Sequence, residues 1–382
     1  MRLNRFSGRL AAMMMTGVMT ASMLGMTAFA EENTTDPTGD AKPVCATSIL
    51  TKEIEKEENV YAPETRFSFT IQGVGEQTGV TDENGTTLIS PDGGLVFSKT
   101  GNTRAEILSS PQASDIGMTT VTAGTLQLEV KADAFTTPGV YRYKITETNG
   151  SYEGIAYDTA ERYVDVFIYK DADPEILFVN EEGTAKADGI VTNEYGLGDT
   201  PDTDLYDLIL TKHVTGNQSV AGKKFTFTIT IDGAEGERYL VKYGTGSSQT
   251  TKTIISDDTE GVTVELSDGE SAVIYGLSKT DAYTITEDSY EREGYKTYMA
   301  HADGTGTLLE SAYTENNRRD TATGSYADAE EGALENKAVH VYNDKTVTTP
   351  TGIALSAAPY VLMVAMAGAF AALFLRKKRN EF

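Results

Sequence analysis

Cysteine, tryptophan and histidine are almost absent from this chain. Among its 382 residues there is one cysteine, Cys45, no tryptophan and three histidines. A single cysteine excludes an intramolecular disulfide, so the stability of the chain must have another source. His213, His301 and His340 share no spacing typical of a metal site, and no Gly-x-Ser-x-Gly motif or phosphate-binding loop occurs. The sequence therefore predicts no metal, no cofactor and no enzyme activity of the common motif-bearing classes.

Positive charge is also scarce. The chain carries 32 Lys and Arg against 57 Asp and Glu, a formal net charge of −25. Without its first 30 and last seven residues, it carries 25 basic and 56 acidic residues, or about −31. This balance argues against nucleic acid as a partner and favours a solvated outer surface.

The first 30 residues have the layout of a secretory signal peptide. Arg2, Arg5 and Arg9 precede the apolar stretch 10–26, and the small-residue pattern Ala28-Phe29-Ala30 follows it. A membrane anchor is the alternative, but the apolar run is shorter than a full span. We expect cleavage after Ala30 and export of the rest.

The C-terminus has three parts in a fixed order. The pentapeptide Thr348-Thr349-Pro350-Thr351-Gly352 precedes an uncharged apolar run, 353–375, and a basic tail, 376–382. The run is long enough to span a bilayer as a helix, and the tail would stay in the cytoplasm. A single-pass membrane protein is one interpretation. The arrangement also resembles a sortase sorting signal, in which cleavage falls between Thr351 and Gly352. Thr348-Thr349 stands where Leu is common, so the motif looks more like the x-Val-Pro-Thr-Gly variants read by pilin sortases, and the sortase class stays open.

Between the two ends the pattern is all-β, with many short runs in which apolar and polar residues alternate. The segment 196–203 has the composition of a linker and separates two regions of ordinary sandwich size. We predict an N-terminal linker at 31–43 and two domains at 44–197 and 198–347. The clearest alternating runs are Phe67–Ile71, Leu126–Val130, Phe225–Ile229 and Val262–Leu266.

The two predicted domains repeat each other in order. Each begins with an Ile-Leu-Thr-Lys run, continues with Phe-x-Phe-Thr-Ile, reaches a Tyr-x-Ile-Thr-Glu run, and closes on a β-type segment containing Asn. Lysine, glutamate and asparagine therefore recur in the same sequence order. These residues are Lys52, Glu147 and Asn193 in the first domain, and Lys212, Glu287 and Asn343 in the second.

All six polar residues share a strand face with apolar neighbours, because side chains alternate along a strand. Burying an unpaired Lys or Glu is costly, so the three groups of each domain should meet. Burial would lower the lysine pKa and raise the glutamate pKa. A neutral amine could then attack the Asn carboxamide, while a protonated Glu hydrogen-bonds the carbonyl and shuttles protons as ammonia leaves. A buried ion pair with a hydrogen-bonded Asn, or exposed strand ends, are the alternatives.

This pattern resembles the pilin isopeptide-linkage domains of Gram-positive pilus backbone subunits of the streptococcal T-antigen type. The resemblance covers nearly the whole mature chain. It implies two tandem immunoglobulin-like, Cna-B-like β-sandwiches, each with a Lys-Asn isopeptide bond formed with a catalytic Glu. In the first domain Lys56 and Asn180 are nearby competitors. The implied crosslinks are Lys52 to Asn193 with Glu147, and Lys212 to Asn343 with Glu287.

The same resemblance implies a fibre. In that family a sortase joins the motif Thr of one subunit to a Lys just before the last strand of the first domain in the next. Lys186 lies seven residues before Asn193, in a polar, Gly-containing segment, 181–189, that predicts an exposed loop. An ordinary surface lysine is the alternative. The implied partners are a pilin-type sortase, identical subunits, accessory pilins and peptidoglycan, at the cell wall.

Three functional hypotheses follow from the sequence. A polymerising pilin should form covalent multimers that depend on Lys186 and Thr351. A monomeric wall-anchored adhesin or accessory pilin would need Thr351 but not Lys186. A surface hydrolase would need an inward carboxylate other than Glu147 or Glu287.

Overall fold

The computed structural model describes residues 49–75, 88–198, 200, 202–244, 248–303, 320–325 and 337–347. These residues all fall within one compact unit, residues 45–382. The predicted signal peptide, N-terminal linker, sorting motif, apolar span and basic tail lie outside the described residues.

The first ten strands form two sheets around one apolar core. One sheet has the order β3-β5-β1-β10-β7 and the other the order β4-β2-β6-β8-β9. We call this pair of sheets the first sandwich. Its strands are β1 (Ile49–Lys56), β2 (Thr65–Gly73), β3 (Leu95–Phe97), β4 (Arg104–Ser109), β5 (Thr120–Val130), β6 (Gly139–Glu147), β7 (Ile155–Ala156), β8 (Arg162–Ile168), β9 (Glu175–Val179) and β10 (Ile190–Tyr195).

The next ten strands form a second pair of sheets, of six and four strands, around a second core, and we call this pair the second sandwich. The sheet orders are β14-β13-β16-β11-β20-β18 and β15-β12-β17-β19. The strands are β11 (Tyr206–Thr215), β12 (Phe225–Asp232), β13 (Arg238–Tyr243), β14 (Thr250–Ile255), β15 (Val262–Leu266), β16 (Ser271–Leu277), β17 (Ala282–Glu287), β18 (Lys296–Asp303), β19 (Thr321–Ser325) and β20 (Lys337–Asp344).

The predicted all-β fold is confirmed. Among the described residues the helical elements are short 3₁₀ turns at Ala113–Asp115, Ala132–Ala134 and Glu291–Glu293. The alternation expected of half-buried strands is clear in β12, where Phe225, Phe227 and Ile229 are fully buried and the threonines between them are partly exposed. The predicted domain boundaries remain predictions, although each set of strands encloses its own core.

In each sandwich the first and last strands lie side by side and run parallel. β1 pairs with β10, and β11 pairs with β20. The glutamate-bearing strands, β6 and β17, belong to the other sheet of the same sandwich. Lysine and asparagine therefore come from one sheet, and glutamate reaches them across the core.

Buried polar side chains join the two sandwiches. The Tyr195 hydroxyl, at the end of β10, donates to Glu237 Oε1 at 2.7 Å. The Tyr61 hydroxyl lies 2.7 Å from Thr253 Oγ1. Gly196 follows Tyr195 with a φ of 75°, a left-handed conformation that favours glycine, and turns the chain towards β11.

The Tyr239 hydroxyl contacts two buried carboxylates at this junction, Glu237 Oε2 at 2.8 Å and Asp281 Oδ2 at 3.0 Å. One hydroxyl has one proton to donate, so the arrangement favours a protonated carboxyl. Burial, and then the charge of Glu237, raise the pKa of Asp281 to about 7.

We predict that the Asp281 carboxyl makes the folded chain less stable as the pH rises. The folded pKa of Asp281 exceeds its ordinary value of 3.8, so its contribution is complete below pH 3.8 and is lost as the pH rises to about 7, with a slope of at most about 1.4 kcal/mol per pH unit. Asp281→Asn should reduce the fall in Tm between pH 5 and pH 8, measured by calorimetry. The exposed control Asp133→Asn should leave that fall unchanged, and equal falls in both variants would contradict the assignment.

Candidate functional site: two buried Lys-Glu-Asn triads

Lys52, Glu147 and Asn193, which we call the first triad, meet in the core of the first sandwich. Lys52 Nζ donates to Glu147 Oε2 at 2.9 Å, and both side chains are fully buried. Asn193 Nδ2 donates to Glu147 Oε1 at 2.8 Å. Glu147 therefore stands between the amine and the carboxamide, with one carboxyl oxygen on each.

The strand pairing explains this meeting. Asn193 lies opposite Ile54 in the parallel pair of β1 and β10, so Lys52, two residues before Ile54, points to the same face. β1 also has a register shift against β5 immediately after Lys52. Such bulges re-aim side chains, and Lys52 is directed at the opposite sheet.

A backbone donor fixes the orientation of the Asn193 carboxamide. The backbone N–H of Asp158 donates to Asn193 Oδ1 at 2.8 Å. Because a backbone N–H can only donate, the atom facing it must be the oxygen, and the amino group must face Glu147. We expected Glu147 to bond the carbonyl oxygen; in the structure it contacts the amino group, and Asp158 contacts the oxygen.

Burial shifts the pKa values of the first triad in opposite directions. Loss of water lowers the pKa of Lys52, against the opposing pull of Glu147. The same loss of water raises the pKa of Glu147, against the opposing pull of Lys52. Both shifts favour the uncharged pair, a neutral amine beside a protonated carboxyl, which is the state that permits attack on an amide.

Lys212, Glu287 and Asn343, the second triad, are arranged differently. Lys212 Nζ donates to Asn343 Oδ1 at 2.8 Å, and lies 3.5 Å from Glu287 Oε1. The Thr297 hydroxyl, on β18, donates to Glu287 Oε2 at 2.9 Å. In the second triad Lys212 therefore hydrogen-bonds the carboxamide directly, and Thr297 hydrogen-bonds the carboxylate.

Burial also shifts the pKa values of the second triad and leaves two of its polar atoms without a hydrogen bond. Burial lowers the pKa of Lys212 to about 8 and raises that of Glu287. Among the described residues, Glu287 Oε1 and Asn343 Nδ2 are buried without a hydrogen-bond partner. Unsatisfied buried polar atoms are costly. Loss of the Asn343 amino group as ammonia would remove one of them.

An aromatic ring lies beside each lysine. Lys52 Nζ is 4.8 Å from the centre of the Phe67 ring, and Lys212 Nζ is 4.5 Å from that of Phe225. Each is the first Phe of one copy of the repeated Phe-x-Phe-Thr-Ile motif. The repetition of this motif was a signal that could have placed the phenylalanines in the site.

The two competitors of the first domain lie elsewhere. Lys56 is buried, but its Nζ donates to the backbone carbonyls of Asp115 and Met118, both at 2.7 Å. Asn180 accepts the backbone N–H groups of Thr184 and Ala185 in a surface turn. Neither side chain takes part in the first triad.

Lys186 is exposed, as expected for a surface loop. Its backbone forms an isolated antiparallel bridge with Val179 at the end of β9. The turn before it is held by the Asn180 contacts just described. Thr351 and Gly352 lie outside the described residues.

The described part of the chain contains no group of three or more His, Cys, Asp or Glu side chains that could hold a metal ion. It also contains no helix long and apolar enough to cross a membrane, and the predicted span 353–375 lies outside it.

Sequence reasoning did not find Asp158, Arg162 or Thr297. Asp158 contributes a backbone atom, for which side-chain patterns carry no signal. Arg162 Nη2 donates to Asp158 Oδ2. Thr297 reaches Glu287 from β18, which lies beside β20 as β7 lies beside β10, but whose sequence shows no match to the first domain. Only the packing of the loops and sheets brings these groups to the triads.

Comparisons with known proteins agree with this architecture. Residues 49–196 match the family model described as the Spy0128-like isopeptide containing domain, FctA. Residues 206–338 match a domain of unknown function, DUF7601. A protein named pilin from Streptococcus pyogenes serotype M1 is 25% identical over 333 residues, which cover 84% of this chain and 87% of that protein.

Solved structures show the same fold. The crystal structure of the major pilin from Streptococcus pyogenes has a TM-score of 0.52 and 21% identity, and the match covers 80% of this chain and all of that one. A single-substitution variant of that pilin gives a TM-score of 0.53, with 20% identity and the same coverage.

The fold and the first of these family matches define a class of surface protein, the pilins with an isopeptide-containing domain. The chain is a pilin, a pilus subunit whose residues 49–196 form a Spy0128-like isopeptide containing domain, and it resembles the streptococcal major pilins. Its location is accordingly extracellular, in a pilus at the cell surface.

Proposed function

We propose that this pilin is a structural shaft subunit held together by two autocatalytic isopeptide bonds, Lys52 to Asn193 and Lys212 to Asn343. The observation that carries the proposal is the burial of a lysine, a glutamate and an asparagine together in each sandwich, with the reacting groups in contact or bridged by one carboxylate. Burying a lysine and a glutamate has a large desolvation cost, so the same buried set in both sandwiches is not explained by packing alone.

Isopeptide bond formation needs no reactant other than the lysine and the asparagine. The neutral lysine amine attacks the Asn Cγ, and the new C–N bond forms as the carbonyl electron pair moves to Oδ1. The pair then returns, the Cγ–Nδ2 bond breaks, and one proton passes from the lysine nitrogen through the glutamate to the departing amino group. The products are a secondary amide and one ammonia. Glu147 contacts both nitrogens of the first triad, as this transfer requires.

The chain therefore acts on itself and turns over no separate substrate. No cofactor is needed, because Glu147 and Glu287 supply the acid and the base. The chain is instead a substrate: a pilin-type sortase cleaves between Thr351 and Gly352 and joins Thr351 to Lys186 of an identical subunit. Before that step the apolar span 353–375 holds the precursor in the plasma membrane, and accessory pilins and peptidoglycan complete the assembly.

The position of Lys186 suits an acceptor. Its side chain is exposed, while the backbone beside it is fixed by the bridge to Val179. Pulling force would enter at Lys186, pass through Asn193 and Lys212, cross to Asn343, and leave at Thr351. The second crosslink joins parallel neighbours β11 and β20, so most of the second sandwich would be bypassed by the load.

Lys186→Arg should abolish covalent polymers. The full chain is co-expressed with a pilin-type sortase in a Gram-positive host, and wall extracts are boiled in detergent and separated by gel. We expect a ladder for the unsubstituted chain and its loss in Lys186→Arg, because arginine is not a sortase nucleophile.

Lys99→Arg and Lys170→Arg, at two other exposed lysines of the first sandwich, are the matched controls and should keep the ladder. If the chain reaches the wall only as a monomer in every variant, the adhesin or accessory-pilin hypothesis replaces the shaft subunit. A ladder that survives Lys186→Arg would place the acceptor elsewhere.

A further inference from the structure

We propose that the backbone N–H of Asp158 is the oxyanion donor for crosslinking in the first sandwich, and that the ion pair between Asp158 and Arg162 holds it in place. The inference rests on the proposed isopeptide chemistry and adds to it a catalytic group that contacts the reacting carbonyl, together with a positioning residue.

Every polar atom of the Asn193 carboxamide has one fixed partner. The amino group faces Glu147, and Oδ1 accepts the Asp158 N–H at 2.8 Å. Asn193 is fully buried, so water does not compete for its oxygen. The leaving group is thus directed at the proton carrier, and the oxygen at a fixed donor.

Negative charge develops on Oδ1 when the Lys52 amine attacks. A donor already in position stabilises that charge without reorganising, and in a buried site the effect is larger than in water. The second triad differs at this point: the partner of Asn343 Oδ1 among the described residues is Lys212 Nζ, the nucleophile itself. The two sandwiches therefore reach the same product with different support for the oxygen.

The loop that carries the donor is tied to β10. Asp158 Oδ2 accepts from Arg162 Nη2, and Asp158 Oδ1 accepts the backbone N–H of Ala160 at 2.9 Å. Arg162 Nε donates to the carbonyl of Ile190 at 2.7 Å. Ile190 is three residues before Asn193 on the same strand, so Arg162 sets the distance between the donor loop and the carboxamide.

The direct test replaces the Asp158 N–H by an ester oxygen. Malic acid, the α-hydroxy analogue of aspartate, is incorporated at position 158 of the full chain by nonsense suppression in detergent-supplemented cell-free synthesis. Samples are quenched in acid over time and digested, and the two crosslinked peptides are counted separately by mass spectrometry. We expect bond formation between Lys52 and Asn193 to slow by about 10²- to 10³-fold, the effect of losing one oxyanion donor.

Two internal references make the result decisive. Bond formation between Lys212 and Asn343 in the same molecules should keep its rate. An ester at Thr184, whose N–H donates to the side-chain Oδ1 of Asn180 at the same 2.8 Å distance, should affect neither crosslink. An unchanged rate at the first site, or equal slowing by the two esters, overturns the proposal. A failure of either site to crosslink in the unsubstituted chain overturns the proposed chemistry itself.

Arg162 is tested by ordinary substitution. Arg162→Ala should slow the first crosslink on the order of 10- to 100-fold through misplacement of the donor, and Arg162→Lys should restore part of the rate. Arg142→Gln breaks a different and more deeply buried arginine-aspartate pair of the same sandwich, that with Asp165. It should lower the Tm at least as much as Arg162→Ala but leave the crosslinking rate unchanged. Slowing that merely follows the loss of Tm in both variants would contradict a positioning role.

Discussion

The intact mass of residues 31–351 should be about 34 Da below the sequence value, because each isopeptide bond releases one ammonia of about 17 Da. The Glu147→Ala and Glu287→Ala variants should each lie only about 17 Da below their own sequence mass, and the double variant should match its sequence mass. Each carboxylate is expected to serve only its own triad, since Glu147 contacts Lys52 and Asn193, and Glu287 lies beside Lys212.

Glu237→Ala is the matched control for this measurement. Glu237 is as deeply buried as the two triad glutamates, but it contacts tyrosines instead of lysine and asparagine. Its variant should retain both mass losses. If Glu237→Ala also lacked one of the two mass losses, the release of ammonia would depend on intact packing in general. An unmodified mass in the parent chain would leave two buried ion pairs and no crosslink.

Asn193→Ala and Asn343→Ala should each lower the Tm by about 10–20 °C. Each crosslink closes a loop of more than 100 residues, and a link of that length stabilises by about 5 kcal/mol through the unfolded chain. For a domain of this size each kcal/mol corresponds to about 2–4 °C. Alanine at these positions removes the electrophile but leaves Lys52 paired with Glu147 and Lys212 close to Glu287, so no isolated buried charge is created.

Calorimetry on the two variants, with Asn180→Ala as the control, checks this expectation. Asn180 is a turn residue of the first sandwich outside the triad, and its substitution should shift the Tm by only a few degrees. A loss of similar size in all three variants would show that asparagine side chains matter here for their hydrogen bonds. A loss confined to the two triad positions would assign the stability to the crosslinks.

Strand alternation was sufficient to predict which face each triad residue occupies. Leu208, Leu210 and Lys212 are all fully buried on one face of β11, as the sequence pattern indicates. The repeated order of lysine, glutamate and asparagine also indicated that the three would meet. Alternation is a local property of the backbone, so it can be read without knowing what lies across the core.

The choice between Lys52 and Lys56 could not be made in this way. Both lie on the inward face of β1, and both are buried to within 1% exposure. What separates them is the group opposite: Glu147 from β6 for Lys52, and the carbonyls of Asp115 and Met118 for Lys56. Those partners are distant in sequence, so only the tertiary fold assigns them.

The sequence alone thus determined the all-β class, the two repeats, and the inward placement of the six reacting side chains, because these follow from periodicity and order along the chain. The tertiary structure decided how the groups touch. It placed Glu147 on both nitrogens, the Asp158 N–H on the carboxamide oxygen, and Thr297 on Glu287. Hydrogen bonds depend on atoms brought together across sheets and loops, and neither the spacing nor the type of residues fixes such distances.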